Sequence, residues 1–259
     1  MLTYPPCKIN LGLRVLGRRP DGYHDLETIF LPVHTLHDTL EITEGPLTMH
    51  QDGLVLDNAP DDNLCLKAWR LLHEELDIPP VSIRLHKAIP FGAGLGGGSS
   101  DAAFTLKVLN EMFSLGLTVT HLERYAARLG ADCAFFIQCR PAYATGIGDH
   151  LTPLPPSTLN AQLSIQIEIP DGEHVSTREA YAGIDSVNLA SDRQGRIDLR
   201  DAIRRPVGEW RDLIVNDFEA SVFPAHPAIA ALKEEMYRRG ALYASMTGSG
   251  AAVFGLFPG

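Results

Sequence analysis

Between a strand-like run, VSIRLHKAIP (residues 81–90), and a helix-like run beginning near residue 102, the chain carries the segment PFGAGLGGGSSD (90–101). Five of the seven positions from 92 to 98 are glycine, so the backbone there can adopt positive φ and approach a ligand closely. Ala102, Ala103, Leu106, Leu109, Met112 and Phe113 then keep a helical period. Such a helix turns its free N–H groups and positive dipole end toward the glycines. Ser99 and Ser100 are expected at its N-cap, where they add hydroxyl donors. A glycine loop feeding a helix N-terminus suits a phosphate chain. A plain flexible turn requires neither so many glycines nor the paired serines.

Two other phosphate loops fit less well. Gly92, Gly94 and Gly97 satisfy G-x-G-x-x-G, but a dinucleotide fold continues with a strand ending in an acidic residue about 20 positions on. Here the loop is followed by a helix, a short linker and a second helix, THLERYAARLG (120–130). Thr120 and Glu123 are read as the capping box of that second helix, with Gly130 ending it. A Walker A loop needs Gly-Lys-Ser/Thr at its end, and the segment has no lysine.

Around this loop the pattern mixes strands and helices without strict alternation, which predicts α+β rather than doubly wound α/β. Ile9, Leu11, Leu13 and Val15 alternate as in a half-buried strand, and RRPDGYH (18–24) is a turn. DDNLCLKAWRLLHEEL (61–76) reads as the first helix and AHPAIAALKEEMYRRG (225–240) as the last. The chain closes on a strand, the turn MTGSG and a strand AAVFGLF. LTPLPPSTLN (151–160) holds three prolines and predicts a boundary, giving domains 1–152 and 153–259. The net charge of −10 disfavours nucleic acid and anionic membrane as partners, while leaving room for local donors to hold a phosphate. Four scattered cysteines predict reduced thiols, and no signal peptide or apolar span is apparent, so a cytoplasmic protein is expected.

P-x-x-x-G-L-G-x-x-S-S, from Pro90 through Ser100, resembles the second motif of the GHMP kinases, which binds the ATP triphosphate. CKINLGL (7–13) is similar to the first motif of that family and MTGSGAAVF (246–254) to the third, which folds over the nucleotide phosphates. NDFE (216–219) resembles a recurrent segment of the second domain. The resemblance runs along essentially the whole chain. It implies a two-domain fold, ribosomal-protein-S5-like then ferredoxin-like, with ATP and Mg²⁺ as cofactors and both substrates lying between the domains. It further implies ATP contacts from Asn63, Leu64, Lys87, Pro90, Gly92, Gly94, Leu95, Gly96, Gly97, Gly98, Ser99, Ser100, Gly248, Ser249 and Gly250. Asp101, at the loop mouth, would help place Mg²⁺ or favour the helix N-terminus. The chain ends nine residues after Gly250, where family members usually continue with a helix and strand, so the second domain is expected to be short.

Moving a γ-phosphoryl group to an alcohol needs charge neutralisation, in-line placement and a destination for the hydroxyl proton. The resemblance implies Asp132, in LGADCAFF (129–136), as the residue that accepts that proton or orients the hydroxyl, and Lys8 as the neutralising cation. By residue type alone, Lys8 is an ordinary surface charge and Asp132 an ordinary cap or turn residue.

Family membership leaves mevalonate, homoserine and galactose open as acceptors. The run KINLGLRVLGRRPDGYHDLETIF (8–30) is similar to that of members acting on a cytidine-diphosphate-linked methylerythritol, in the non-mevalonate route to isoprenoid precursors. That similarity implies Tyr23 stacking on cytosine, His24 bonding its polar edge, Asn10 touching the substrate beside Lys8, and Tyr181 as a second aromatic. A kinase for another small alcohol and a non-catalytic ligand-binding relative are the alternatives.

Overall fold

A computed structural model describes residues 1–54, 63–155, 163–186 and 196–259. Residues 61–62 of the expected first helix and 156–160 of the expected boundary segment lie outside the described residues. The chain forms two compact units, one of Met1–Lys8, Pro32–Phe91 and Gly96–Arg140, the other of Ile9–Leu31, Gly92–Leu95 and Pro141–Gly259. After a short strand β1 (Leu2–Thr3), two long strands, β2 (Pro6–Arg18) and β3 (His24–His37), contribute residues to both units.

In the first unit β4 (Thr39–Glu44), β5 (Thr48–Gly53) and β6 (Val81–Lys87) join β1 in a sheet of order β1-β4-β6-β5. Only the β5–β6 pair is parallel among the pairs of that sheet described. Strand periodicity buries Leu40 and Ile42 of β4 and Val81, Ile83 and Leu85 of β6, and the same phase carries Lys87 to the buried side. Among the described residues that unit holds the helices α1 (Leu64–Leu76), α2 (Gly97–Met112), α3 (Val119–Leu129) and α4 (Cys133–Gln138). Asn63 caps α1 by accepting from the Cys65 N–H at 2.8 Å, which starts the helix at Leu64. The buried face of α1 carries Leu66, Ala68, Trp69, Leu71 and Leu72, and full burial of one such leucine contributes about 1.5–3 kcal/mol.

Two helix starts differ from expectation. The N-cap of α2 is Gly96, in the left-handed region, so Ser99 and Ser100 lie inside the first turn. The capping box of α3 is Thr118 with His121, because the Glu123 carboxylate instead accepts from the Gln138 side chain at 2.6 Å.

In the second unit β7 (Ala142–Thr145) and β8 (His150–Pro153) complete the sheet order β2-β3-β7-β8. A second, antiparallel sheet has the order β10-β11-β9, from β9 (Leu163–Glu168), β10 (Tyr243–Met246) and β11 (Val253–Pro258). The helix Pro227–Arg238 packs on β10 and β11, and α5 (Thr177–Ser186) packs on the helix Glu219–Ala225. Their shared core includes Leu13, Val15, Ala180, Phe218, Ile229, Met236 and Val253. All four cysteines are unpaired, and burial pushes the Cys7 thiol up to about 12 and those of Cys133 and Cys139 up to about 11. No described helix is long and apolar enough to cross a membrane.

Candidate active site

In the first unit Lys8, buried in β2, places its ammonium 3.5 Å from the Asp132 carboxylate. Asp132 occupies the N-cap position of α4, yet its side chain makes no capping bond. Its carboxylate is 32% exposed and so remains reachable by a ligand. The glycine run lies close by. A Cβ on Gly96 would come within 3.2 Å of the Lys8 side chain and 3.1 Å of the Phe136 ring. A Cβ on Gly97 would stand 3.3 Å from the Lys87 ammonium, and one on Gly98 would touch Leu64. Since Gly96 has no side chain to satisfy the first N–H groups of α2, those donors remain available to an anion.

Beneath the loop Lys87 is 3% exposed and pairs with two carboxylates, Asp38 and Asp101 at 2.6 Å. Burial works against the lysine charge, but Asp101 and Asp38 outweigh it and hold its pKa above the usual value. Burial pushes the Asp101 carboxyl up to about 7, against the pull of Lys87. Asp101 is buried, with its Oδ2 turned inward to Lys87. Asn63 also faces inward duties, capping α1 and donating to Gln51 at 3.0 Å. Pro90 is partly exposed at the loop entrance and Ser99 lies near Gly130 and Cys133, while the Ser100 hydroxyl is buried without a partner among the described residues.

In the second unit the loop residues Gly92–Leu95 pack on the turn between β10 and β11. The Ala252 N–H donates to the Ala93 carbonyl at 3.3 Å. A Cβ on Gly94 would overlap the Thr247 carbonyl oxygen, and one on Gly92 would lie 2.7 Å from the His174 ring. Leu95 is buried. Asn10 is buried, and its amide oxygen accepts from the Gly248 N–H at 3.1 Å and the Thr247 hydroxyl at 3.2 Å, while its nitrogen donates to Thr28 at 2.9 Å. Asn216 donates to the carbonyls of Met246 and Gly248, and Glu219 accepts from the Met246 N–H, so the NDFE segment clamps the glycine turn. Ser249 pairs with Thr177 at 3.3 Å, and Gly250 adopts a positive φ against Met246 and Val175. Thr28, Thr247, Asn216 and Glu219 lie in segments the sequence pointed to, NDFE and MTGSG among them, but had no role of their own there, and Asp38 and His174 were not singled out. For Asp38 the in-phase alternation with Leu40 and Ile42 was the available signal.

The turn before β3 presents Tyr23, 62% exposed, beside His24, 7% exposed. His24 stacks on Tyr181 with centroids 4.8 Å apart, and Tyr181 meets Phe218 edge-on at 4.9 Å. Three rings from distant positions thus form one aromatic group. α5, which carries Tyr181, is tied down by His226, whose ring nitrogens lie 3.1 Å from Glu179 and 2.6 Å from Glu173. Glu179 and Glu173 raise the His226 pKa above its usual 6.5. A raised folded-state pKa contributes stability below the unfolded value that is lost as pH rises through the folded value. His226→Ala is expected to lower the melting temperature by about 2–3 °C at pH 6 and by less at pH 9. An equal drop at both values, read by differential scanning fluorimetry, would rule out a charged tie.

Residues 63–140 match the GHMP kinases N terminal domain and residues 199–259 the GHMP kinases C terminal domain. The chain is 51% identical to the 4-diphosphocytidyl-2-C-methyl-D-erythritol kinase of Bacteroides thetaiotaomicron, over 99% of this chain and 92% of the relative. It is 47% identical, with the same coverage, to the enzyme of that name from Porphyromonas gingivalis. A crystal structure of 4-(cytidine 5'-diphospho)-2C-methyl-D-erythritol kinase superposes with a TM-score of 0.82 at 32% identity, covering 99% of this chain and 90% of the other. Mevalonate kinase of Methanococcus jannaschii, with a TM-score of 0.75 at 16% identity over 99% of this chain and 90% of the other, shares the fold.

Proposed function

The chain belongs to the GHMP kinase family, and on that premise we propose that it transfers the γ-phosphoryl group of ATP to the 2-hydroxyl of 4-diphosphocytidyl-2-C-methyl-D-erythritol. The observation that carries the kinase reading is the 3.5 Å approach of Lys8 to an Asp132 carboxylate that caps nothing. Asp132 takes or directs the proton of the attacking hydroxyl. Lys8 orients that carboxylate and offsets negative charge on the transferring group. The first N–H groups of α2 and the glycines from 92 to 98 receive the phosphates, and ATP contacts by Pro90, Leu95, Ser99, Ser100, Gly248, Ser249 and Gly250 belong to the same proposal. Asn63 and Leu64 border its adenine side, and Lys87 supports the loop from below.

Mg²⁺ takes most of its six oxygens from phosphates and water, so a protein needs to add only one or two. Among the described residues no cluster of three His, Cys, Asp or Glu could cage an ion, and the partly exposed Asp132 carboxylate is a donor of the required hard type. Bound with ATP, Mg²⁺ supplies charge neutralisation across the phosphoryl oxygens. Cytoplasmic residence belongs to the same proposal, supported by four unpaired thiols. So does a functional division at residue 152, which falls between the two family matches.

The acceptor reading is supported by the exposed Tyr23 ring beside the His24–Tyr181 stack and by the named relatives. Asn10 acts from beside Lys8 by holding Thr247 and Gly248 in place. A coupled assay of ADP release, offering the cytidylylated acceptor, mevalonate and homoserine in parallel, tests the proposal. Turnover is expected with the first alone, and preference for either of the others overturns the acceptor. Tyr23→Ala is expected to raise the acceptor KM by about 10- to 100-fold, the loss of one stacked base, with the ATP KM nearly unchanged. Equal rises in both constants would sink the cytosine role.

A further inference from the structure

We infer that the buried Asp38–Lys87–Asp101 bridge is a positioning device that holds the two ends of the glycine loop at the spacing nucleotide binding requires, with Asp38 as its hub. The inference rests on the ATP-site reading above and deepens it. Thr39 pairs with His86 in the antiparallel β4–β6 ladder, so Asp38 and Lys87 are the next residues across from one another. Both continue the buried phase of their strands, Asp38 with Leu40 and Ile42, Lys87 with Ile83 and Leu85. A period of two therefore drives both charges into the interior, where each must find a partner.

The two oxygens of Asp38 do different work. Oδ1 accepts the N–H groups of Ala88 at 2.6 Å and Ile89 at 2.8 Å, the donors freed where β6 ends and the loop begins. Oδ2 pairs with the Lys87 ammonium. The same ammonium reaches Asp101 Oδ2 at 2.6 Å, on α2 just past its first turn, beyond the end of the loop. The Asp38 N–H donates to the Pro5 carbonyl at 2.9 Å, three residues before Lys8. One residue thus ties the strand leading to Lys8 through its backbone N–H, and the loop entrance and, through Lys87, the loop exit through its carboxylate. Gly97 packs against the bridge, since a Cβ there would lie 3.3 Å from the Lys87 ammonium and 2.9 Å from Ile89. Asp101 Oδ1 has no hydrogen-bond partner among the described residues, and the 2.6 Å contact of Oδ2 with Lys87 is the ion pair that aims that side chain.

Stability does not account for this arrangement. Buried ion groups repay little of their desolvation cost, and an apolar trio of similar volume would usually hold the core as well or better. What charges add is a specific geometry. Asp38 and Asp101 are positioning residues, since both are buried.

The test is calorimetric binding of a non-hydrolysable ATP analogue, with CDP as the second probe, to the full chain and its variants. Asp101→Ala breaks the bridge at the helix end and leaves a balanced Asp38–Lys87 pair. It is expected to weaken analogue binding about tenfold or more with CDP affinity kept within about twofold, whereas Asp101→Asn, whose oxygen still accepts from Lys87, is expected to stay within about threefold. A purely structural role would lower the melting temperature of Asp101→Ala and leave the analogue affinity of the folded fraction unchanged. That result overturns the inference, as does an Asp101→Asn variant as weak as the alanine. Should Asp101→Ala not fold, Asp38→Asn is read the same way, because it turns a donor toward Lys87 while keeping an acceptor for the strand end. Analogue binding needs no acceptor, so a wild-type chain that binds it but fails to phosphorylate the methylerythritol sinks only the acceptor reading.

Discussion

Asp132→Ala is expected to lower turnover by about 10²–10⁴-fold, a barrier increase of about 3–5 kcal/mol, while ATP affinity changes by less than about threefold. The reason for the split is positional. Asp132 stands at the start of α4 without capping it, and its ion partner is Lys8 at 3.5 Å. Removing it costs the helix no capping bond, so the fold should hold. The groups assigned to the phosphates are the α2 N-terminus and the glycine turns, none of which depends on that carboxylate. What disappears is the destination of the hydroxyl proton and the anion that orients Lys8. Asp132→Asn should be nearly as slow, since the amide keeps the shape but accepts no proton. Turnover of the alanine variant within tenfold of wild type, in the ADP-release assay, would remove the aspartate from the mechanism.

Gly94→Ala is expected to cost about 1–3 kcal/mol of stability from strain and overpacking, and to raise the ATP KM about tenfold or more by displacing the loop. Gly94 sits at φ +77, and an added Cβ would overlap the Thr247 carbonyl oxygen and lie 3.0 Å from the Thr247 carbonyl carbon. Both neighbours are backbone, so no flexible side chain can swing aside. Thr247 in turn is held by Asn10, and the following Gly248 by Asn10 and Asn216. Gly172→Ala serves as the control, because Gly172 has a similar φ of +75 with nothing within 4 Å of an added Cβ. If Gly94→Ala melts and binds ATP as Gly172→Ala does, the close approach of the two turns has no part in nucleotide binding.

Much of the scaffold was legible from local pattern. The strand-loop-helix around residues 81–112, the DGYH turn before β3 and the glycine turn between β10 and β11 all stand where expected. The two helix caps that differ from expectation do so for reasons outside residue type. Ser99 and Ser100 are good caps by residue type, but Gly96 takes the position because the turn into α2 needs a left-handed residue there. Thr120 and Glu123 match the capping-box spacing as well as Thr118 and His121 do. The choice fell to Gln138, a residue on another helix that claims the Glu123 side chain. Lys87, expected among the ATP contacts, pairs its ammonium with Asp38 and Asp101, and the alternation of VSIRLHK carried the signal of its burial. Tyr181 was assigned to the cytosine ring, and it stacks on His24, which is itself nearly buried.

By itself the sequence determined where the phosphate loop lies and which residues can flank it, because glycine torsions, strand alternation and helix period act between near neighbours. Only the tertiary structure decided which charges meet. Lys8 finds Asp132, and Asp38 captures Lys87 together with the end of β6, through contacts between segments far apart in the chain. Burial makes those meetings obligatory, since a charge removed from water must be paired, but the partner is chosen by how strands and helices pack. The glycine loop was therefore visible from the start, whereas the ionic bridge beneath it became visible only once the chain was folded.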